Sequence, residues 1–62
     1  MAWLAVDKDG TENIYDIEPN RDLCVDRWEI ATEHSWWIGL PKGTIEKIIG
    51  RTLTWQDVPV KI

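Results

Sequence analysis

The sequence predicts an α+β fold: a small, mostly antiparallel β-sheet with one short helix packed on one face. Three observations carry this. Apolar residues alternate with polar ones in short runs toward both ends of the chain, the period-two pattern of half-buried strands. The stretch "DKDGT" between the first two runs has the chemistry of a hairpin turn. Only "LPKGTIEKIIG" spaces its isoleucines as a helix does.

In order, Trp3-Leu4-Ala5-Val6 reads as a strand and Thr11 to Asp16 as its partner. A type I turn followed by a left-handed Gly10 closes a three-residue loop between them. Setting Asp7 opposite Thr11 places Val6 against Glu12, Leu4 against Ile14 and Trp3 against Tyr15. Leu4, Val6 and Ile14 then share one face, while Trp3, Ala5 and Tyr15 share the other. "IEPNRD" reads as a loop around Pro19. Leu23 to Val25 is short and apolar, and Trp28 and Ile30 alternate in the opposite parity, so the pattern breaks near Asp26. A helix through Arg21–Glu33 is the alternative there. "ATEHS" is polar and turns the chain, and Trp36, Ile38 and Leu40 form a further strand.

The helix is expected over about Pro41 to Ile49. Proline suits its first position, Ile45, Ile48 and Ile49 form one stripe, and Gly50 is a left-handed stop. So short a helix holds only by packing on a sheet. Leu53 and Trp55 alternate next, "QD" turns, and Val58, Val60 and Ile62 alternate again. Pro59 cannot donate to a ladder, which puts this last strand at an edge.

The chain has 62 residues, enough for a single domain over 1–62 with a thin margin of stability. One cysteine, Cys24, excludes an internal disulfide, so five tryptophans supply much of the buried area. Cys24 lies between Leu23 and Val25 and is expected as a buried thiol. "MAWLAV" is too short for a signal peptide or a membrane span, and the chain reads as a complete small cytosolic protein. The net charge of −4 is uneven, because nine acids face three bases in residues 1–34 while two acids face four bases in residues 35–62. An acidic chain is a poor nucleic-acid binder.

Strand alternation separates the adjacent Trp36 and Trp37. If Trp36 joins Ile38 and Leu40 beneath the helix, Trp37 points away, toward the face of Trp3 and Tyr15. With a single helix that face is left open, so Trp3, Tyr15 and Trp37 are the candidate partner surface, for another protein or a second copy. "PKGT" offers free backbone donors beside a cation. Lys42, Gly43, Thr44 and Arg51 are therefore the candidate anion or nucleotide contacts, although the full phosphate-loop pattern is absent and helix entry is the simpler reading. "DKDG" does not continue as a calcium loop, because Glu12 stands where the sixth-position glycine belongs. His34 with Glu29 and Glu33 makes a poor metal set, and no nucleophile stands at a motif spacing to it. Neither metal nor cofactor is expected. Little chain is left to wall a catalytic cleft, so no catalytic residue is assigned.

Two segments, "WLAVDKDGTENIY…P.R" and "LPKGTIEKIIGRTLTWQDVPVKI", together resemble a family of small uncharacterised proteins of phages and mobile elements of gut bacteria. The likeness covers about two thirds of the chain and leaves Leu23 to Ser35 unmatched. It implies a context rather than a chemistry: small phage accessory proteins often bind a host component, a defence protein or its nucleotide messenger. The expectation is a non-enzymatic accessory protein that binds another protein, as a homodimer in the bacterial cytoplasm. A nucleotide-sequestering oligomer and an acidic mimic of nucleic acid are the alternatives.

Overall fold

The computed structural model describes residues 1–30 and 33–62. The first two strands, β1 (Trp3–Val6) and β2 (Glu12–Tyr15), pair in the expected register, Trp3 with Tyr15, Leu4 with Ile14 and Val6 with Glu12. The turn closes through Asp7 N–H on Thr11 O and Gly10 N–H on Asp7 O, both 2.9 Å. Gly10 sits at φ 91°, where a side chain would strain the backbone.

The next two strands, β3 (Asn20–Asp22) and β4 (Arg27–Glu29), form a separate hairpin. Its loop, Leu23 to Asp26, ends on Asp26 at φ 56°, a left-handed position that aspartate tolerates. The parity break near Asp26 is therefore a hairpin turn, and no helix runs through Arg21–Glu33 within the described residues. "NRD", read as loop, is strand; the apolar Leu23 and Val25 sit exposed in the turn. Cys24 is exposed as well, correcting the buried thiol. The turn expected over residues 31–35 is described from Glu33, where Glu33-His34 lead toward β5 (Trp37–Leu40); Ala31 and Thr32 lie outside the described residues.

After β5 come the helix α1 (Thr44–Ile49) and the last strand β6 (Val60–Lys61). The main sheet is antiparallel in the order β5-β2-β1-β6, which leaves β6 at an edge as Pro59 requires and β5 at the other. The strands and the single short helix make a small α+β protein, and its radius of gyration of 10.7 Å is that of a compact chain, against about 10.6 Å from the scaling of folded chains.

Each sheet face carries its own core. On one face Leu4 and Val6 meet Ile45 and Leu53, with Ile14, Leu40, Ile49 and Val60 around them. Ile48 stays half exposed, so the helical stripe is Ile45 and Ile49 alone. The opposite face is covered, against the expectation of an open one. The β3–β4 hairpin lays Trp28 over Ala5 and Tyr15, with Trp3, Ile30 and Trp55 packed alongside. Arg21 holds this layer shut. Its guanidinium lies 4.8 Å from the Trp28 ring and 5.0 Å from the Trp55 ring, and it donates to Trp55 O (2.7 Å) and Asp57 O (3.1 Å).

Two buried carboxylates fasten these layers to the first hairpin. Asp7 accepts the Trp28 backbone N–H at 2.9 Å on the hairpin side, while the Trp28 indole N–H donates to Val6 O at 2.9 Å. Glu12, on the helix side, accepts the N–H of Gly43 (2.6 Å) and of Ile45 (2.8 Å). Gly43 caps α1 without a side chain of its own, so a strand residue supplies the anion that a helix start favours. At the other end Gly50, at φ 77°, returns its N–H to Glu46 O. Substituting Glu12→Gln removes the charge and turns one of the two acceptors into a donor, and is expected to lower stability by about 1–2 kcal/mol. Urea unfolding measures this, and an unchanged midpoint would show that the helix start does not depend on Glu12.

Candidate functional site

A run of exposed apolar side chains leads into β5. Trp36, Trp37 and Ile38 are 48%, 59% and 57% exposed, three large side chains in succession. The alternation that separates the two indoles holds, since Trp37 pairs with Tyr15 and shares its face. Trp36 is not buried beneath the helix, however. An edge strand of four residues reaches past the short helix, and only Leu40 of β5 joins the core there. Asp16 N–H donates to Trp36 O (3.2 Å) and Trp36 N–H to an Asp16 carboxylate oxygen (3.0 Å). Because antiparallel pairs alternate, the backbone groups of Trp37 and Gly39 then face outward from the sheet.

Of the three candidate surface residues, the structure leaves one well exposed. Tyr15 is 2% exposed beneath the hairpin layer, so it is core and not surface. Trp3 is half-buried in the same cluster, with the Lys61 ammonium 5.8 Å from its ring centre. Trp37 stands apart at the mouth of a cleft of about 390 Å³ between β2, β5 and the β3–β4 hairpin.

This cleft is acidic and aromatic. Asp7, Asp9 and Glu29 line it with Tyr15, Trp28 and Trp37. Arg27 is the cation among its described lining residues, and it lies 3.7 Å from Glu29 in an exposed pair. Hydrogen bonds from Thr11 hold the Asp9 carboxyl below its ordinary value, so its charge persists into mild acid. At the base is Asn13, 3% exposed. Its Nδ2 donates to Asp7 Oδ2 at 3.3 Å, while its Oδ1 is buried with no donor among the described residues. A carboxylate only accepts, so the amide must turn its nitrogen to Asp7 and its oxygen away. An unanswered buried acceptor costs about 1–3 kcal/mol, which sets this atom apart from the other buried polar groups among the described residues.

Sequence reasoning missed Asp7, Asn13 and the Arg21 clamp. The signal was present in the hairpin register: continuing the parity of Ala5 and Tyr15 puts Asp7 and Asn13 on their face. Nothing in the sequence showed that a second hairpin would cover it.

A larger cleft, of about 640 Å³, opens between the β1–β2 turn, the start of α1 and residues 52–56. The chain, short as it is, thus walls more than one cleft. Lys42 and Gly43 reach the larger one, while Thr44 and Arg51 are not among its lining. The anion reading needs correcting here, because the cradle is filled from within. Gly43 N–H is held by Glu12, and both the N–H and the hydroxyl of Thr44 donate to Pro41 O. "PKGT" is a helix entry whose anion is Glu12.

Among the described residues no group of three or more His, Cys, Asp or Glu is placed to hold a metal ion, and no helix is long and apolar enough to cross a membrane. No family model, curated protein or solved structure matches this chain.

Burial pushes the Tyr15 phenol up to about 12 from 10.0, the Asp7 charge pushes the same way, and the Asn13 amide offsets part of the rise. The folded value lies above the unfolded one, so this contribution is complete below the unfolded value and is lost as pH rises toward the folded value. Stability is expected to fall by about 1–3 kcal/mol across that alkaline window. Tyr15 is the single tyrosine, so tyrosinate absorbance reports it alone. Unfolding curves of Tyr15→Phe should lack the alkaline loss, and an ordinary tyrosinate midpoint in the folded protein would contradict the assignment.

Proposed function

We propose that this protein is a non-catalytic binding module that engages a protein partner along the β5 edge. The observation that carries the reading is the run Trp36, Trp37 and Ile38, exposed on both faces of an edge strand and its entry, with an open flank. Exposed indoles are frequent anchors of protein interfaces, and an unpaired strand edge adds backbone hydrogen bonds in register. The acidic first half supplies a field that attracts a basic partner. In the phage or mobile-element setting suggested by the terminal segments, that partner is a host component, and inhibition of a defence factor is the outcome such binding serves. A second copy of the chain is the simplest partner for an edge strand, and β5 paired with β5 would form a homodimer.

The rival nucleotide-binding reading retains the larger cleft, with Lys42 at its rim above Val6, Ile45 and Leu53. It has lost the backbone donors a phosphate needs, since Glu12 holds them. The mimic of nucleic acid is weaker again, because Asp7 and Glu12 are buried in structural hydrogen bonds rather than displayed.

Trp37→Ala separates binding from folding. The side chain is mostly exposed, so stability is expected to change by less than about 1 kcal/mol, while capture of the partner by immobilised protein falls at least about tenfold. Light scattering gives the second arm: a solution mass twice 7.2 kDa that returns to monomer in Trp37→Ala identifies the partner as a second copy. Unimpaired capture and unchanged mass in this variant would overturn the reading.

A further inference from the structure

The acidic cleft beside Trp37 names the chemistry of what a partner inserts, and this inference rests on the protein-binding reading above. Its base presents Asn13 Oδ1, an acceptor without a donor among the described residues, in a side chain 3% exposed. Asp7 takes the amide nitrogen, which leaves the oxygen on the Gly39 side of the side chain. Asp7 has no cation within ion-pair distance among the described residues, and Arg27 at the rim is engaged with Glu29. The occupant must therefore donate hydrogen bonds and carry positive charge. The Trp37 indole adds an aromatic wall.

A guanidinium meets all three demands. It is planar, offers five donors in a fixed fork, sheds water more readily than an ammonium and lies flat on aromatic rings. The molecule already seats one guanidinium this way, holding Arg21 against Trp28 and Trp55 while backbone carbonyls take its protons. We propose that the cleft receives an arginine side chain of the partner protein, donating to Asn13 Oδ1 and the Asp7 and Asp9 carboxylates and lying against Trp37. Lysine, a compact and strongly hydrated point charge, fits the planar acceptor set less well.

The test is a titration of the isotopically labelled full chain with Nα-acetyl-arginine amide, followed by nuclear magnetic resonance. The neutral isostere Nα-acetyl-citrulline amide and Nα-acetyl-lysine amide serve as comparisons. The Asn13 side-chain amide, the Gly39 backbone and the Trp37 indole are expected to shift and saturate with arginine. Citrulline should bind about tenfold more weakly for want of charge-assisted hydrogen bonds, and lysine should fall between. Gly39→Val crowds the acceptor itself, because a Cβ at Gly39 stands 3.6 Å from Asn13 Oδ1 in ordinary contact and the valine methyls reach further. It should weaken arginine binding about tenfold. Asp9→Asn, at the exposed rim, keeps the fold if the valine does not and should weaken binding about threefold.

No saturable shift with arginine, equal binding of citrulline, or shifts confined to other residues would each overturn the proposal. The two readings fail separately. If arginine leaves the cleft unmoved while Trp37→Ala still abolishes capture, the arginine site falls and the binding edge stands. If arginine titrates the cleft while Trp37→Ala captures normally, the guanidinium site stands and the β5 edge falls.

Discussion

The register of the first hairpin is the constraint on which the rest of the structure depends. With Asp7 opposite Thr11, the two acids flanking the turn fall on opposite faces of the sheet, Asp7 toward the β3–β4 hairpin and Glu12 toward α1. A slip of one residue would exchange the faces of one strand, taking Glu12 from the helix or Asp7 from Trp28. Both acids act on backbone N–H groups rather than on cations, so each fixes the position of a chain segment and not merely of a side chain. One short turn thereby sets the placement of both covering layers.

A chain this small cannot rely on a broad aliphatic core. Without a disulfide, it relies on indoles and the polar groups that lock them. Trp28 shows the economy of this: its ring covers Tyr15 and Ala5, its indole N–H reaches Val6 O and its backbone N–H reaches Asp7. The exposed ion pairs, Lys8–Asp26 at 3.6 Å and Arg27–Glu29 at 3.7 Å, contribute little beside this. Arg21 differs because its guanidinium lies against both rings and is bonded to carbonyls at the same time.

Local signals were legible in the sequence and long-range covering was not. The Gly10 turn, the hairpin register, the Gly50 stop and the edge position of β6 follow from residue chemistry over a few positions, and the structure shows each. The second hairpin was obscured because its apolar residues, Leu23 and Val25, lie in an exposed turn while its strands are largely charged. Its single buried strand residue, Trp28, leaves no alternation to read. Covering of the Trp3–Tyr15 face depended on that hairpin, so the candidate site was read as a wide aromatic face when only Trp37 and a cleft remain. The helix, expected from about Pro41, begins only at Thr44 with Gly43 as its cap, and its anion comes from residue 12, a separation that no local pattern encodes.

The pairing of β6 with β1 joins Lys61 to Trp3, neighbours in space from opposite reaches of the chain. During synthesis the first hairpin can therefore close early, yet one flank of β1 must wait until Val60 and Lys61 have left the ribosome. Until then that flank offers an unsatisfied strand to any neighbouring polypeptide.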